Sequence, residues 1–441
     1  MLTVCPYFHV HQPHRVKRFR VFDIGQDGEY FNANDETDLN NGKILRKVAE
    51  KSYLPTTAVL GELLAKHPEF RFAFSFSGTV LDQFQMYAPH VLEAFQRLVA
   101  TGRVEVLADT YYHSLAFFYS RPEFERQVAL HEKRIQELFG VTPRVFRNTE
   151  LSYTNSLARW CDEKGYLGIM AEGWDPVLGW RSPNYVYQPV GCSNIKLLLK
   201  NYKLSDDIAF RFGNRSWESW PLKAETYAHW IHSHHGNGNT INLFMDFETF
   251  GEHQWEDTGI FGFLKALPEK LLTHGETSFK TPTETILSYP SVGEVDVPHI
   301  LTWADTDRDL TAWVGNDIQR DAIASTYGME NEVLDTKDEM LIENWRRLQT
   351  SDHFYYMCTK WFNDGDVHAY FSPYESPYDA YIAFMNALSD LQLRVKEALR
   401  RMKESETVPT SMGFWQRFVA WIKRIIARIP FINRRMKVRT P

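Results

Sequence analysis

Short apolar runs rich in β-branched and aromatic residues recur along this chain, each followed by a stretch with helical spacing. That alternation restricts the fold to parallel strands joined by crossover helices. The runs are Leu2–Phe8, Phe70–Phe76, Val104–Leu107, Arg144–Phe146, Leu167–Met170, Ile195–Leu199, Ile241–Met245 and His299–Leu301. Apolar spacing with flanking Pro or Gly predicts helices over Thr56–Lys66, His90–Ala100, Glu123–Phe139, Asn155–Lys164 and Gly259–Thr273. Seven or eight strands of this kind predict a closed or nearly closed barrel. After about Asp307 the pattern becomes helical, with Ile318–Tyr327, Lys337–Leu348 and Tyr378–Lys403 as the main segments. The expected division is a barrel over 1–306, a helical bundle over 307–403, a linker over 404–412 and a basic tail over 413–441. A length of 441 residues suits one large domain with such an appendage.

The residues just past each apolar run are His9 and His11, Ser75 and Ser77, Glu105 and Asp109, Glu150, Glu172, Asp246 and Glu248, then Asp305. In a barrel of parallel strands these positions converge on one mouth, where enzymes of this architecture place their sites. Any one of them alone is explained as a cap or turn residue. Their repetition as acids and histidines points to a convergent site.

Charge and cysteine usage narrow the class further. The net charge of −7 argues against wholesale nucleic-acid binding. It also hides an asymmetry. From Met412 to Pro441 there are eight Lys or Arg and no acid, so the rest of the chain carries −15. Within that tail, Phe414, Phe418, Trp421, Ile425 and Ile429 follow helical spacing, with Arg417, Arg424 and Arg428 on another face. This is the pattern of an interfacial helix, so peripheral membrane or protein contact through 413–429 is expected, with docking on the acidic body as the alternative. The four cysteines, Cys5, Cys161, Cys192 and Cys358, are far apart and form no C-x-x-C pair. With no basic leader and no bilayer-length apolar run, they suit a cytoplasmic protein.

Two strand ends carry the chemistry. Ile241–Met245 runs from a buried strand into Asp246-Phe247-Glu248-Thr249-Phe250-Gly251-Glu252-His253, where partial desolvation tends to raise the carboxyl pKa of Asp246. Glu150 holds the corresponding position after Arg144–Thr149, where Arg147 or backbone donors keep it ionised. Two carboxyls in unequal environments are what acid-assisted glycosidic cleavage requires. The bland alternative is a capping or salt-bridged pair.

The sequence resembles glycoside hydrolase family 57, most closely its α-amylase and α-amylase-like branch, over roughly residues 1–405. Five ordered motifs carry the resemblance: His11-Gln12-Pro13, Gly102-Arg103-Val104-Glu105, Arg147-Asn148-Thr149-Glu150, Asp246 to His253, and Thr302-Trp303-Ala304-Asp305-Thr306-Asp307-Arg308-Asp309-Leu310. Two positions depart from it. Many members have Trp where this chain has Arg147, and Gly commonly follows the acid where it has Phe247. The resemblance implies an α/β fold, an incomplete TIM-like (β/α)7 barrel followed by a C-terminal helical domain. It implies action on α-1,4-glucans with retention, Glu150 as nucleophile and Asp246 as general acid/base, and no cofactor or metal. It further implies His11, Glu105, Glu248, His253, Trp303 and Asp305 as substrate-binding residues. A retaining pair predicts carboxyls roughly 5 to 5.5 Å apart, against about 6.5 to 9.5 Å for inversion. Trp174, Trp180, Trp255 and Trp303 are candidate stacking platforms for an α-glucan or maltooligosaccharide.

Three alternatives stand beside hydrolysis. A 4-α-glucanotransferase would use the same site with a sugar hydroxyl as acceptor. A metal-dependent hydrolase or deacetylase would use His9 and His11, which share one side of a strand, with Asp246 or Asp305. A catalytically silent glucan-binding protein would keep the groove alone.

Overall fold

The computed structural model describes residues 1–31, 39–360, 371–406, 418–419 and 421–423. Seven parallel strands form the barrel: β1 (Leu2–Val10), β2 (Phe72–Phe76), β3 (Val104–Val106), β4 (Val145–Phe146), β5 (Gly168–Glu172), β6 (Lys196–Lys200) and β7 (Thr240–Asp246). They lie in two sheets, ordered β3-β2-β1-β7 and β4-β5-β6. Ala108 joins the sheets on one side, its N–H bonding Val145 O at 3.0 Å and its carbonyl accepting from Arg147 N at 2.9 Å. On the other side the link is thinner. The Asn201 N–H donates to Asn242 O, and the Asn242 side chain donates to Leu199 O. This is the incomplete seam of a (β/α)7 barrel.

An eighth strand, β8 (Thr277–Phe279), pairs with Leu2–Val4 at the lower part of β1, whereas β2 pairs with Tyr7–Val10 above it. The strand expected at His299–Leu301 does not form. Leu301 makes one antiparallel bridge to Tyr153, and the short Thr277-Ser-Phe279 run takes the place beside β1.

Side-chain period decides what the barrel holds. Each of the seven staves sends one residue into a shared apolar layer: Tyr7, Ala73, Leu107, Val145, Met170, Leu198 and Phe244. Because a strand repeats every two residues, the next inward layer is His9, Ser75, Asp109, Arg147, Glu172, Lys200 and Asp246. The fold therefore stacks a ring of polar side chains on an apolar plug, at the ends of the strands. The outer faces, with Phe8, Val10, Phe72, Phe74 and Phe76, pack under helices in a second core.

The helices begin and end where local chemistry dictates. Asn155–Lys164 is capped by the Thr154 hydroxyl and stopped by Gly165 at φ 85°, a left-handed conformation that glycine adopts without steric cost. Arg121–Phe139 likewise starts at Ser120 and ends at Gly140. Beyond the barrel the chain is helical, with Asp317–Gly328, Glu339–Arg347 and Pro377–Glu406 as its longer pieces. Their core, including Trp313, Trp345, Phe384 and Leu388, also takes in Val16, Phe19, Tyr30 and Phe31 from the segment after β1. Tyr30 Oη donates to Asp390 at 2.6 Å and Tyr374 Oη to Val16 O at 2.6 Å, which fix the helical domain over the barrel mouth. Among the described residues no helix is long and apolar enough to cross a membrane. The amphipathic tail at 413–429 lies outside the described residues but for 418, 419 and 421–423.

Candidate active site

Glu150 sits on the short turn Thr149–Leu151 that follows β4. It and Leu151 have left-handed backbones, φ 57° and 52°, as do His113 (50°) and Asp305 (40°) nearby. Such conformations cost about 1–3 kcal/mol each in a residue with a Cβ, and they gather where the surrounding structure enforces a function. The turn aims the Glu150 carboxylate at three donors. Oε1 accepts from His113 Nε2 at 3.0 Å and from Ser351 Oγ at 3.3 Å, and Oε2 accepts from Trp303 Nε1 at 3.0 Å. Burial pushes this carboxyl upward, but the His113 bond and the Arg147 guanidinium outweigh it and hold Glu150 below its ordinary value. Burial also lowers His113 to about 4, so at neutral pH it is an uncharged donor.

Asp246 ends β7 opposite His9 in register. Burial, reinforced by the charge on Glu150, pushes it up to about 6 against the pull of Arg147 and Lys200. The two carboxyls therefore line one cleft in opposite conditions, one ionised and one ready to hold a proton. Near Asp246, Glu248 accepts from Tyr53 Oη and, at 3.4 Å, from the His11 N–H. Burial beside Asp246 pushes Glu248 up to about 8.

The cleft also takes in His11, His253, Trp303 and Asp305, together with Lys200, Phe210 and Asp352. His11 bonds Ser77 Oγ through Nδ1 (2.7 Å) and Asp352 Oδ2 through Nε2 (2.9 Å). Asp352 is held well below the usual carboxylate range: burial raises it, but His11 more than compensates. Trp303 lies over the Arg147 guanidinium, 4.9 Å from its ring centre, with Lys200 Nζ at 5.6 Å. Lys200 is buried between Glu172 (3.4 Å) and Asp206 (3.0 Å). Asp305 binds Lys360 Nζ at 3.3 Å.

Glu105 is a correction. It points into the barrel, but two layers below Asp109, and its carboxylate accepts the Thr283 N–H (2.8 Å) and hydroxyl (2.5 Å) at the start of helix Pro282–Ser288. It caps a helix at the closed end and is not in the cleft. Its position within β3, not past the strand's end, is the reason. Of the four tryptophans expected to stack on sugar, Trp303 alone lines the cleft. Trp180 is 89% exposed outside it.

His113, Ser351 and Asp352 had no signal in the sequence, because none follows a strand-like run. The last two reach the site from the helical domain, where the Ser351 N–H bonds His113 O at 2.9 Å.

Nitrogens of His9, His11 and His113 lie within 4.8 Å of one another. A metal would need their in-plane lone pairs to converge. The rings instead stack, with centroids 3.9 Å apart for His11 and His113 and 5.0 Å for His9 and His113. Ser75, Ser77, Asp352 and Glu150 engage His9 Nδ1, both His11 nitrogens and His113 Nε2, which leaves only His9 Nε2 and His113 Nδ1 buried without a partner, fewer nitrogens than a three-ligand site needs. The column fits a positioning role better than a metal centre.

Comparison with known proteins agrees with this architecture. Residues 7–298 match the model of glycosyl hydrolase family 57. A Methanocaldococcus jannaschii protein named "Putative alpha-amylase" is 39% identical over 407 residues, covering 89% of this chain and 85% of its own. Among solved structures, a GH57 branching enzyme from Thermococcus kodakaraensis superposes with a TM-score of 0.61 at 13% identity, covering 83% of this chain and 87% of its own. A 4-alpha-glucanotransferase from Thermococcus litoralis gives 0.58 at 15% identity over 80% of this chain, which spans 56% of that longer protein. At those identities the two structures speak for the fold. The match across most of the barrel and the 39% identical relative go further: this chain belongs to glycosyl hydrolase family 57.

Proposed function

We propose that the protein is a retaining glycoside hydrolase of α-1,4-glucans, of the α-amylase type. The observation that carries this reading is the opposed condition of two carboxyls in one cleft: Glu150 with three hydrogen-bond donors and a depressed pKa, Asp246 with its pKa raised to about 6. Cleavage with retention needs one carboxylate to attack and one acid to protonate the leaving oxygen.

In this reading Asp246 gives its proton to the glycosidic oxygen while Glu150 attacks the anomeric carbon and forms a glycosyl ester. The bond to Glu150 discharges that carboxylate, which removes a source of the upward push on Asp246. Asp246, now a carboxylate, takes a proton from the incoming water, and the ester is released with the original anomeric configuration. Trp303 and His113 keep one Glu150 oxygen each in place. Trp303 also offers an indole face beneath the cleft, and His11, His253 and Asp305 are polar groups within reach of sugar hydroxyls. The name of the 39% identical relative supports an α-glucan as substrate.

The test is maltoheptaose turnover with the anomeric configuration of the products followed in real time. Retention, with loss of turnover in Glu150→Gln, is expected. Inverted products, or undiminished turnover in that variant, refute the assignment. Longer oligosaccharides among the products would identify a glucanotransferase on the same two carboxyls.

A further inference from the structure

The wall that carries Asp246 has a feature the chemistry above does not use. Asp207–Arg211 forms a π-helical turn, a geometry that recurs at functional sites. Ile208 of this turn and Phe212 just after it are buried in the core under the barrel helices, and Ala209 packs against it. Phe210 points the other way. It is 61% exposed and lines the cleft. An apolar ring left open to water beside a polar site has a face available for a ligand to cover.

The turn is held rigidly. Asp207 pairs with Arg211 at 2.7 Å, and the Arg211 guanidinium donates to Lys203 O at 2.9 Å. Gln254, at the end of the loop that leaves Asp246, donates from Nε2 to Ala209 O at 2.9 Å. Upstream, Ser205 Oγ accepts the Phe244 N–H of β7 at 3.2 Å. The backbone that carries Phe210 is therefore tied to the strand and to the loop that carry and follow Asp246. None of the three donors to Glu150, His113, Ser351 and Trp303, belongs to this turn or to the Gln254 loop.

The geometry points to Phe210 as the stacking platform for the sugar on the leaving-group and acceptor side of the cleaved bond. This rests on the assignment of Asp246 as proton donor, because the donor stands beside the departing oxygen. A hexopyranosyl unit offers an apolar face of C–H groups to an aromatic ring, and a Phe side chain on a fixed backbone has only two torsions to order. Phe210 then sets how well a sugar, rather than water, is held where the departing or incoming hydroxyl meets Asp246.

The experiment compares kcat/KM on maltoheptaose with kcat/KM on α-maltosyl fluoride, whose fluoride leaving group occupies no sugar site. In Phe210→Ala the maltoheptaose-to-fluoride ratio falls about tenfold, the scale of one lost stacking contact, and any transfer to added maltose falls with it. Phe210→Trp restores the ratio. Trp180→Ala, more exposed and outside the cleft, serves as the control and keeps the wild-type ratio. A Phe210→Ala ratio equal to wild type overturns this inference alone. A wild-type protein that leaves the fluoride untouched overturns the glycosidase reading and this one together.

Discussion

His113 donates from Nε2 to Oε1 of Glu150 across 3.0 Å, and both residues hold a left-handed backbone, φ 50° and 57°. Replacing His113 by Ala removes the donor that most opposes the effect of burial on Glu150. The Glu150 pKa then rises, and with it the acidic limb of the kcat/KM profile. A loss of roughly 100–1,000-fold at neutral pH is expected, on the scale of one missing oriented donor. An acidic limb that stays put would show that His113 acts on something other than Glu150.

On the roles proposed above, the two carboxyls are separable by chemical rescue. Glu150→Ala and Asp246→Ala should each lower kcat by about 10³-fold or more on maltooligosaccharides. With azide, the first should give a β-glycosyl azide, because azide replaces the nucleophile in a single displacement. The second should give the α-azide, because azide attacks the ester still formed on Glu150. The same azide anomer from both variants would reverse or dissolve the assignment.

The pH profile follows from the same pair. On the proposed roles, turnover requires Glu150 ionised and Asp246 protonated. Glu150 lies below its ordinary value, so the rising limb falls below about pH 4.5. Asp246 lies at about 6, so kcat/KM declines as the pH climbs through that value. Asp246→Glu should keep the bell shape with a displaced basic limb. A profile flat from pH 5 to 8 would contradict the proton-donor role.

Five residues of the inward polar ring, His9, Ser75, Asp109, Glu172 and Asp246, are legible from sequence, because each follows an apolar run at the spacing a strand imposes. Arg147 and Lys200 occupy the same ring but are less conspicuous, since a cation after a strand is the ordinary mark of a solvated loop. Glu105 shows the converse error. It satisfies a motif and the inward parity of its strand, yet sits at the wrong depth, because pattern fixes which face a residue takes and not how far along the barrel axis it lies. The pairing of His11 with Asp352 joins positions 341 residues apart through a helical domain packed on the segment after β1. No local periodicity encodes such a contact.

The closed-end role of Glu105 makes its own prediction. Glu105→Ala strips two acceptor contacts from the start of helix Pro282–Ser288, leaving a partly buried N–H and hydroxyl of Thr283 without that partner. A stability loss of about 1–3 kcal/mol is expected, with kcat/KM on maltooligosaccharides little changed at temperatures below the lowered melting point. Thermal melts beside initial rates check it. A large rise in KM without loss of stability would return Glu105 to the sugar site.

Arg147 stands where many members of the family have Trp, and it carries two loads that a pair of variants can separate. One guanidinium nitrogen lies 3.3 Å from Asp109 Oδ2, both groups being fully buried, while the planar head lies under Trp303. Arg147→Met leaves Asp109 without its cation, at a cost of roughly 3–5 kcal/mol. Asp109, already pushed up to about 6 by burial, then rises further. A buried acid raised above its unfolded value binds its proton in the native state, so stability falls as pH increases through the folded value. The melting temperature of Arg147→Met should therefore drop more at pH 8 than at pH 5. Adding Asp109→Asn removes the stranded charge and recovers most of that stability. It does not return the cation that pulls Glu150 and Asp246 downward, so both limbs of the activity profile should remain displaced to higher pH in the double variant. Limbs restored along with the melting temperature would mean that Arg147 only fills and pairs the barrel interior.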